Sequence, residues 1–140
     1  LIRLNIRQNN VLIDETFTAC LADFGYTSVV GEIEKNLAYL QVSKHRPGAV
    51  RWAAPEQFPE DPEMPWQPTP LTDIYSFGNI VLSGEQPWSE TQNDVVVMFN
   101  LAKGINPGRP QSRPIDNEHW EFIERCWLPV QGRPSAVDIV

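Results

Sequence analysis

The sequence predicts an α+β domain that is mostly helical: a β-hairpin, then a long loop, then a group of helices. Three observations carry this. Near the front, the short apolar runs Asn10-Val11-Leu12-Ile13-Asp14 and Thr18-Ala19-Cys20-Leu21-Ala22 flank Glu15-Thr16-Phe17, the pattern of two strands joined by a turn. From Gly25 to Val50 no hydrophobic period is sustained, and Gly and polar residues recur, as in a loop. After Ala54 apolar residues return at helical spacing.

The helices follow in order. Pro55 is compatible with a first helical turn, so Ala54 to Phe58 reads as one short helix. Pro59, Pro62, Pro65, Pro68 and Pro70 then crowd the stretch Phe58 to Leu71. Proline fixes φ and removes a donor, so this stretch reads as a loop rather than helix or inner strand. A structural connector is preferred there over a polyproline ligand, whose loose spacing only some of these prolines match. Thr72-Asp73 can cap a helix through Ile74, Tyr75, Phe77, Ile80 and Val81 that ends at Gly84. It is apolar nearly all round, the mark of a buried helix. Asn93-Asp94 opens another through Val95, Val96, Met98, Phe99 and Leu101, closed at Gly104. Asp116 opens a third, with Trp120, Ile123 and Trp127 on one face. A last helix is expected from Ser135.

The 140 residues read as one domain, 1–140, with no internal repeat. The net charge of −7, from 18 acids against 11 bases, argues against a nucleic-acid surface. No apolar run approaches a bilayer span. No charged leader precedes an apolar segment, so a soluble, intracellular, cytoplasmic chain is expected. The first residue is Leu rather than Met, which points to a chain that has lost its beginning. Cys20 and Cys126 are too few and too far apart for a disulfide framework or zinc site, and read as small buried residues in a reducing compartment. His45 and His119 read as surface or loop residues rather than ligands. Trp66 and Trp88 sit near loops and are candidates for exposure.

The chemistry centres on Asp23-Phe24-Gly25. Alone the tripeptide is weak, but Asn10 lies 13 residues before Asp23 with the hairpin between them. That resembles the protein kinase arrangement, in which an Asn and the Asp of Asp-Phe-Gly hold magnesium. More segments fall in the family's order: Arg51-Trp52-Ala53-Ala54-Pro55-Glu56, Asp73-Ile74-Tyr75-Ser76-Phe77-Gly78, Gly84-Glu85-Gln86-Pro87-Trp88, and Cys126-Trp127 followed by Arg133-Pro134-Ser135. The chain therefore resembles the C-terminal lobe of a eukaryotic protein kinase domain, from the catalytic loop to the start of the last helix, with the N-terminal lobe absent. Its Trp-rich motifs look like the tyrosine-kinase-like group.

The resemblance implies ATP and Mg²⁺ as cofactors, held by Asn10 and Asp23, and a protein substrate or partner proteins, phosphorylated on Ser/Thr or Tyr. It also implies an ion pair between Glu56 and Arg133. Arg7 falls where the family has a basic residue facing the γ-phosphate. The position of the catalytic base falls on Asn5, an amide, and residues 1–13 contain no Asp. Removing a general base costs roughly 10²–10⁴-fold. Leu4 replaces the Arg that would grip a phosphorylated loop, whose candidate acceptors are Thr27, Ser28, Tyr39 and Ser43. The Gly-rich loop, the strand Lys and its partner Glu are missing, so ATP binding is expected to be poor. The helix after Asp73 is shorter than in the family by about one turn.

Three readings follow. The chain is an incomplete, inactive piece of a protein kinase whose relatives transfer the γ-phosphoryl of ATP. Alternatively it is a pseudokinase-type binding module, or a helical interaction domain using a Trp-rich surface. The sequence does not fix the oligomeric state.

Overall fold

The computed structural model describes residues 6–22, 49–59, 69–81, 86–112 and 114–139. It begins with a 3₁₀ turn, Gln8–Asn10, that leads directly into strand β1, Val11–Ile13. Strand β2, Ala19–Leu21, pairs antiparallel with it, Leu12 opposite Cys20. Each strand is shorter at both ends than its apolar run. The turn between them is built on Asp14. Its carboxylate accepts hydrogen bonds from the Thr16 and Thr18 amides, at 2.8 and 2.9 Å, and from the Thr16 hydroxyl. These donors, the Thr16 hydroxyl first, hold the Asp14 carboxyl below its ordinary range. Phe17 closes the turn at φ 62° with its ring in solvent.

Three α-helices form among the described residues. Helix α1 is Pro70–Val81, α2 is Asp94–Ala102 and α3 is Asn117–Cys126. The expected caps of the last two are in place. Asn93 accepts from the Val95 amide at 2.9 Å and Asp116 from the His119 amide at 2.9 Å. The chain leaves α2 through Gly104 at φ +70°, a left-handed residue that only glycine adopts without strain. Shorter 3₁₀ turns lie at Ala49–Trp52, Pro55–Gln57 and Val130–Gly132.

Helix α1 starts two residues before the expected Thr72 cap, so Pro70 and Leu71 belong to a helix and not to the loop. The reason is positional. A first-turn amide has no acceptor within the helix, and proline loses nothing there. The loop expected at 60–68, the one at 25–48, and the expected stop at Gly84 lie outside the described residues.

The core joins α1 to α3 and draws in α2. Tyr75, Val97, Leu101, Ile123 and Cys126 are fully buried, and Ile74, Trp88 and Trp127 nearly so. Gly78 makes the α1–α3 approach possible. A Cβ at this position would stand 2.8 Å from that of Cys126 and 3.1 Å from Trp127 Nε1. The indole of Trp120 meets Trp127 edge-on, with ring centroids 5.6 Å apart, as the one-face spacing expected.

Other expectations change. Helix α1 is buried, yet not by apolar residues alone: Thr72, Asp73, Ser76 and Asn79 are buried with it. Cys126 is buried but Cys20 is exposed, because it sits on the hairpin and not in the core. Trp88 is buried, despite its loop position. No helix forms from Ser135. The described end of the chain is a turn in which the Asp138 carboxylate accepts from the Ser135 amide and hydroxyl. His119 is exposed in the first turn of α3, 2.7 Å from the Asp116 carboxylate, and His45 lies outside the described residues. No helix among the described residues is long and apolar enough to cross a membrane.

Candidate functional site

The hairpin sets the main chain of the site. The Asn10 amide donates to the Arg7 carbonyl at 2.9 Å, which tightens the turn before β1. The Ala22 amide then donates to the Asn10 carbonyl at 2.7 Å. The residue that immediately precedes Asp23 is thus tied to Asn10 by backbone alone. Asn10 is buried. Arg7 is half-buried, and its Nε is shielded from solvent with no hydrogen-bond partner among the described residues. A buried guanidinium N–H without an acceptor is costly in an isolated chain, and it is a donor suited to an anion.

A second constellation lies between the 49–57 segment and the helices. Arg133 forms a two-pronged pair with Glu56, Nη1 to Oε1 at 2.7 Å and Nη2 to Oε2 at 2.8 Å. Its remaining donors reach the Leu71 and Leu128 carbonyls at 2.9 and 2.8 Å. The guanidinium also lies 5.1 Å from the Tyr75 ring centre. The Glu56–Arg133 pair inferred from the sequence is therefore present, with its buried charge satisfied. Burial pushes the Tyr75 phenol well above its ordinary value, and its hydroxyl donates to Asn106 Oδ1 at 3.0 Å.

Arg51 is the residue that sequence reasoning quoted without giving a role. Its buried guanidinium donates to the Trp88 and Gln92 carbonyls, at 2.8 and 3.1 Å, and pairs with Asp94 at 2.8 Å. It joins the 49–57 segment to the N-terminus of α2. Nothing in an Arg-Trp dipeptide signals this, since all its partners lie far along the chain. On the other side, the Ser76 hydroxyl donates to the Trp52 carbonyl at 2.8 Å, and Asn79 Nδ2 reaches the same oxygen at 3.4 Å. Gln57 Oε1 accepts from the Ala54 amide at 2.9 Å. The short segment is thus held on both flanks by side chains.

Of the predicted site residues, Arg7 and Asn10 are described and stand on the same 3₁₀ entry to β1. Asn5 and Asp23 lie outside the described residues, as do Leu4, Thr27, Ser28, Tyr39 and Ser43. The donors present fit a magnesium–phosphate group as far as they go: an Asn oxygen for the cation and an orphaned cationic N–H for an anion. No cluster of three or more His, Cys, Asp or Glu forms among the described residues. Magnesium bound through one or two protein oxygens and substrate phosphates needs none.

Comparison with known proteins places the chain in a family. The family profile for protein tyrosine and serine/threonine kinases matches residues 1–140. The MAP kinase kinase kinase wis4 of Schizosaccharomyces pombe is 29% identical over 97% of this chain and 10% of its own length. The Raf homolog serine/threonine-protein kinase of Caenorhabditis elegans is 30% identical over 81% of this chain and 14% of its own. The ankyrin repeat and protein kinase domain-containing protein 1 of Homo sapiens is 26% identical over 99% of this chain and 18% of its own. The chain spans less than a fifth of the length of these relatives. With a profile match along its whole length and the Glu56–Arg133 pair in place, the chain belongs to the family of protein tyrosine and serine/threonine kinases.

Proposed function

We propose that this chain is the C-terminal-lobe portion of a tyrosine-kinase-like protein kinase domain, which keeps the scaffold for holding a protein segment but lacks the base for phosphoryl transfer. The observation that carries the reading is Asn5 at the position of the base, with no Asp anywhere in residues 1–13. In the family reaction the hydroxyl oxygen of a protein side chain bonds to the γ-phosphorus of ATP, ADP leaves, and the base takes the hydroxyl proton. An amide cannot take that proton. Asn10 and Asp23 would hold Mg²⁺, which supplies charge neutralisation on the phosphates, and the orphaned Arg7 Nε supports a phosphate contact nearby.

The pseudokinase reading has its own support. Arg51, Glu56 and Arg133 are all fully engaged in fixing the 49–57 segment, which is what a protein-binding role requires and a degraded remnant does not. The test is transfer of γ-phosphoryl from Mg-ATP to a mixed Ser/Thr/Tyr peptide pool, with melting followed in parallel. The expected result is no transfer by the natural chain and at most a trace by the Asn5→Asp variant, because the Gly-rich loop and strand Lys are missing as well. Transfer by the natural chain that Asp23→Ala abolishes would overturn the loss of the base. Absence of any Mg-ATP-dependent melting shift would remove nucleotide binding from the reading.

A further inference from the structure

Among the described residues, two that are not glycine hold a left-handed backbone, Phe17 and Trp88, each at φ 62°. A bulky side chain is strained there. Phe17 sits at the hairpin turn with its ring in solvent, and the turn alone accounts for it. Trp88 is different. Its indole is 4% exposed and belongs to the core. Its Nε1 is sealed from solvent with no hydrogen-bond partner among the described residues. An N–H that gives up water without gaining an acceptor opposes burial. A strained backbone and a stranded donor thus fall on one residue, and both are relieved if the indole leaves its place.

Arg51 holds it there. Its Nη1 donates to the Trp88 carbonyl at 2.8 Å and, more weakly, to the Pro87 carbonyl at 3.4 Å. Its Nη2 donates to the Gln92 carbonyl at 3.1 Å and pairs with Asp94 at 2.8 Å. The Trp88 carbonyl also accepts from the Thr91 amide at 2.8 Å. One guanidinium therefore pins both ends of the 87–92 loop by its main chain, next to the strained residue. Beside this loop lies a cleft of about 530 Å³, lined by the 86–90 segment, Trp88 included, and by the 108–112 segment. Clefts of roughly 300–1,000 Å³ take small molecules, so an indole has room in it. On the 108–112 wall, a Cβ at Gly108 would meet nothing within 4 Å.

We propose that Trp88 is a gate latched by Arg51: its indole lies in the core while Arg51 grips its carbonyl, and turns out into the cleft, with φ returning to negative values, when that grip is lost. The latched state is the major one, because it buries the ring and keeps the charge-assisted bonds. The strain and the stranded N–H, which exist only in the latched state, bring the turned-out state within reach. Arg51 belongs to the 49–57 segment, so displacing that segment releases Trp88. It also frees the start of α2, whose Asp94 is held by the same guanidinium. The protein-holding role proposed above would in this way reach the cleft. The latch itself does not rest on that role, and its test uses no peptide.

Fluorine NMR of the full chain, with 5-fluorotryptophan at every Trp, tests this. The Trp88 resonance is assigned by its loss in Trp88→Phe. A major Trp88 resonance is expected in exchange with a minor one on the order of 1%, detected by relaxation dispersion or saturation transfer. Arg51→Lys keeps the charge but loses the fork. It should raise the minor-to-major ratio about tenfold, the factor that corresponds to one charge-assisted hydrogen bond. Gly108→Leu fills the cleft from a position with free space, and should cut the minor population about fivefold or more while leaving the major resonance in place. Urea titration checks that each variant is folded. If Arg51→Lys fails to fold, the natural chain and Gly108→Leu still decide. A Trp88 resonance without exchange in the natural chain overturns the proposal. So does a minor state that a folded Arg51→Lys leaves unchanged, or one that persists in full in Gly108→Leu.

Discussion

The hairpin and the helical body are held by different means. Every strand residue of the hairpin except half-buried Val11 is exposed, and its geometry rests on ladder bonds, on Asp14 and on the Ala22–Asn10 main-chain bond. The helical body rests on side chains: a core in which Ala54, Tyr75, Val97, Leu101, Ile123 and Cys126 are fully buried, Arg51 and Arg133 each with several partners, and a glycine where two helices nearly touch. Arg7 and Asn10, proposed for phosphate and metal, thus stand at the entry to a hairpin whose own strand residues are nearly all exposed. The segment-holding residues sit on a part that depends on side-chain packing throughout. Local stability should follow this division.

The largest effect is expected at Arg133. Arg133→Ala leaves Glu56 facing a partly buried void and frees two carbonyls, and should lower stability by about 3–5 kcal/mol in urea titration. Arg51→Met comes next, at roughly 2–3 kcal/mol, because several charge-assisted hydrogen bonds are lost at once. Gly78→Ala drives a methyl into Cys126 and Trp127 and should cost about 1–3 kcal/mol. On the hairpin, Leu12→Thr removes an exposed side chain and should stay within about 0.5 kcal/mol by the same titration. A Leu12→Thr cost as large as that of Gly78→Ala would break the comparison outright.

The smallest effect sharpens it. The Asp116 side chain hydrogen bond raises His119 above its ordinary 6.5. The His119 amide, first, and then its ring hold Asp116 below 3.8. A raised His contributes stability that is full below its unfolded value and is lost as pH rises through its folded value. A lowered Asp contributes stability that is full above its unfolded value and is lost as pH falls through its folded value. The pair therefore favours the start of α3 most between pH 3.8 and 6.5. The urea midpoint of the natural chain should fall relative to His119→Gln as pH rises above this window. Both groups are fully solvent-exposed, so salt should reduce the difference.

The same division explains what was legible beforehand. Hairpin and helix caps are local: Asn93, Asp116, Gly104 and the Asp14 turn act within a few residues, and spacing alone reveals them. The Glu56–Arg133 pair was legible only through family resemblance, since 77 residues separate its members. The role of Arg51 was not legible at all, and neither was the burial of Trp88, because both depend on where distant chain arrives. The start of α1 was misplaced because a proline cluster reads as a loop, although one proline of the cluster fits a first turn. At the candidate site the family resemblance singled out Asn10 and Arg7, whereas the unsatisfied Arg7 Nε required coordinates.

The two thiols sit one on each side of this division. Cys20 is exposed on the hairpin, while Cys126 is buried beneath α1 with its thiol pushed up to about 11. An alkylating reagent should therefore modify Cys20 at once and reach Cys126 only when α1 lifts from α3. Counting adducts by mass against time would turn the natural chain, with no introduced label, into its own clock for opening of the helical body.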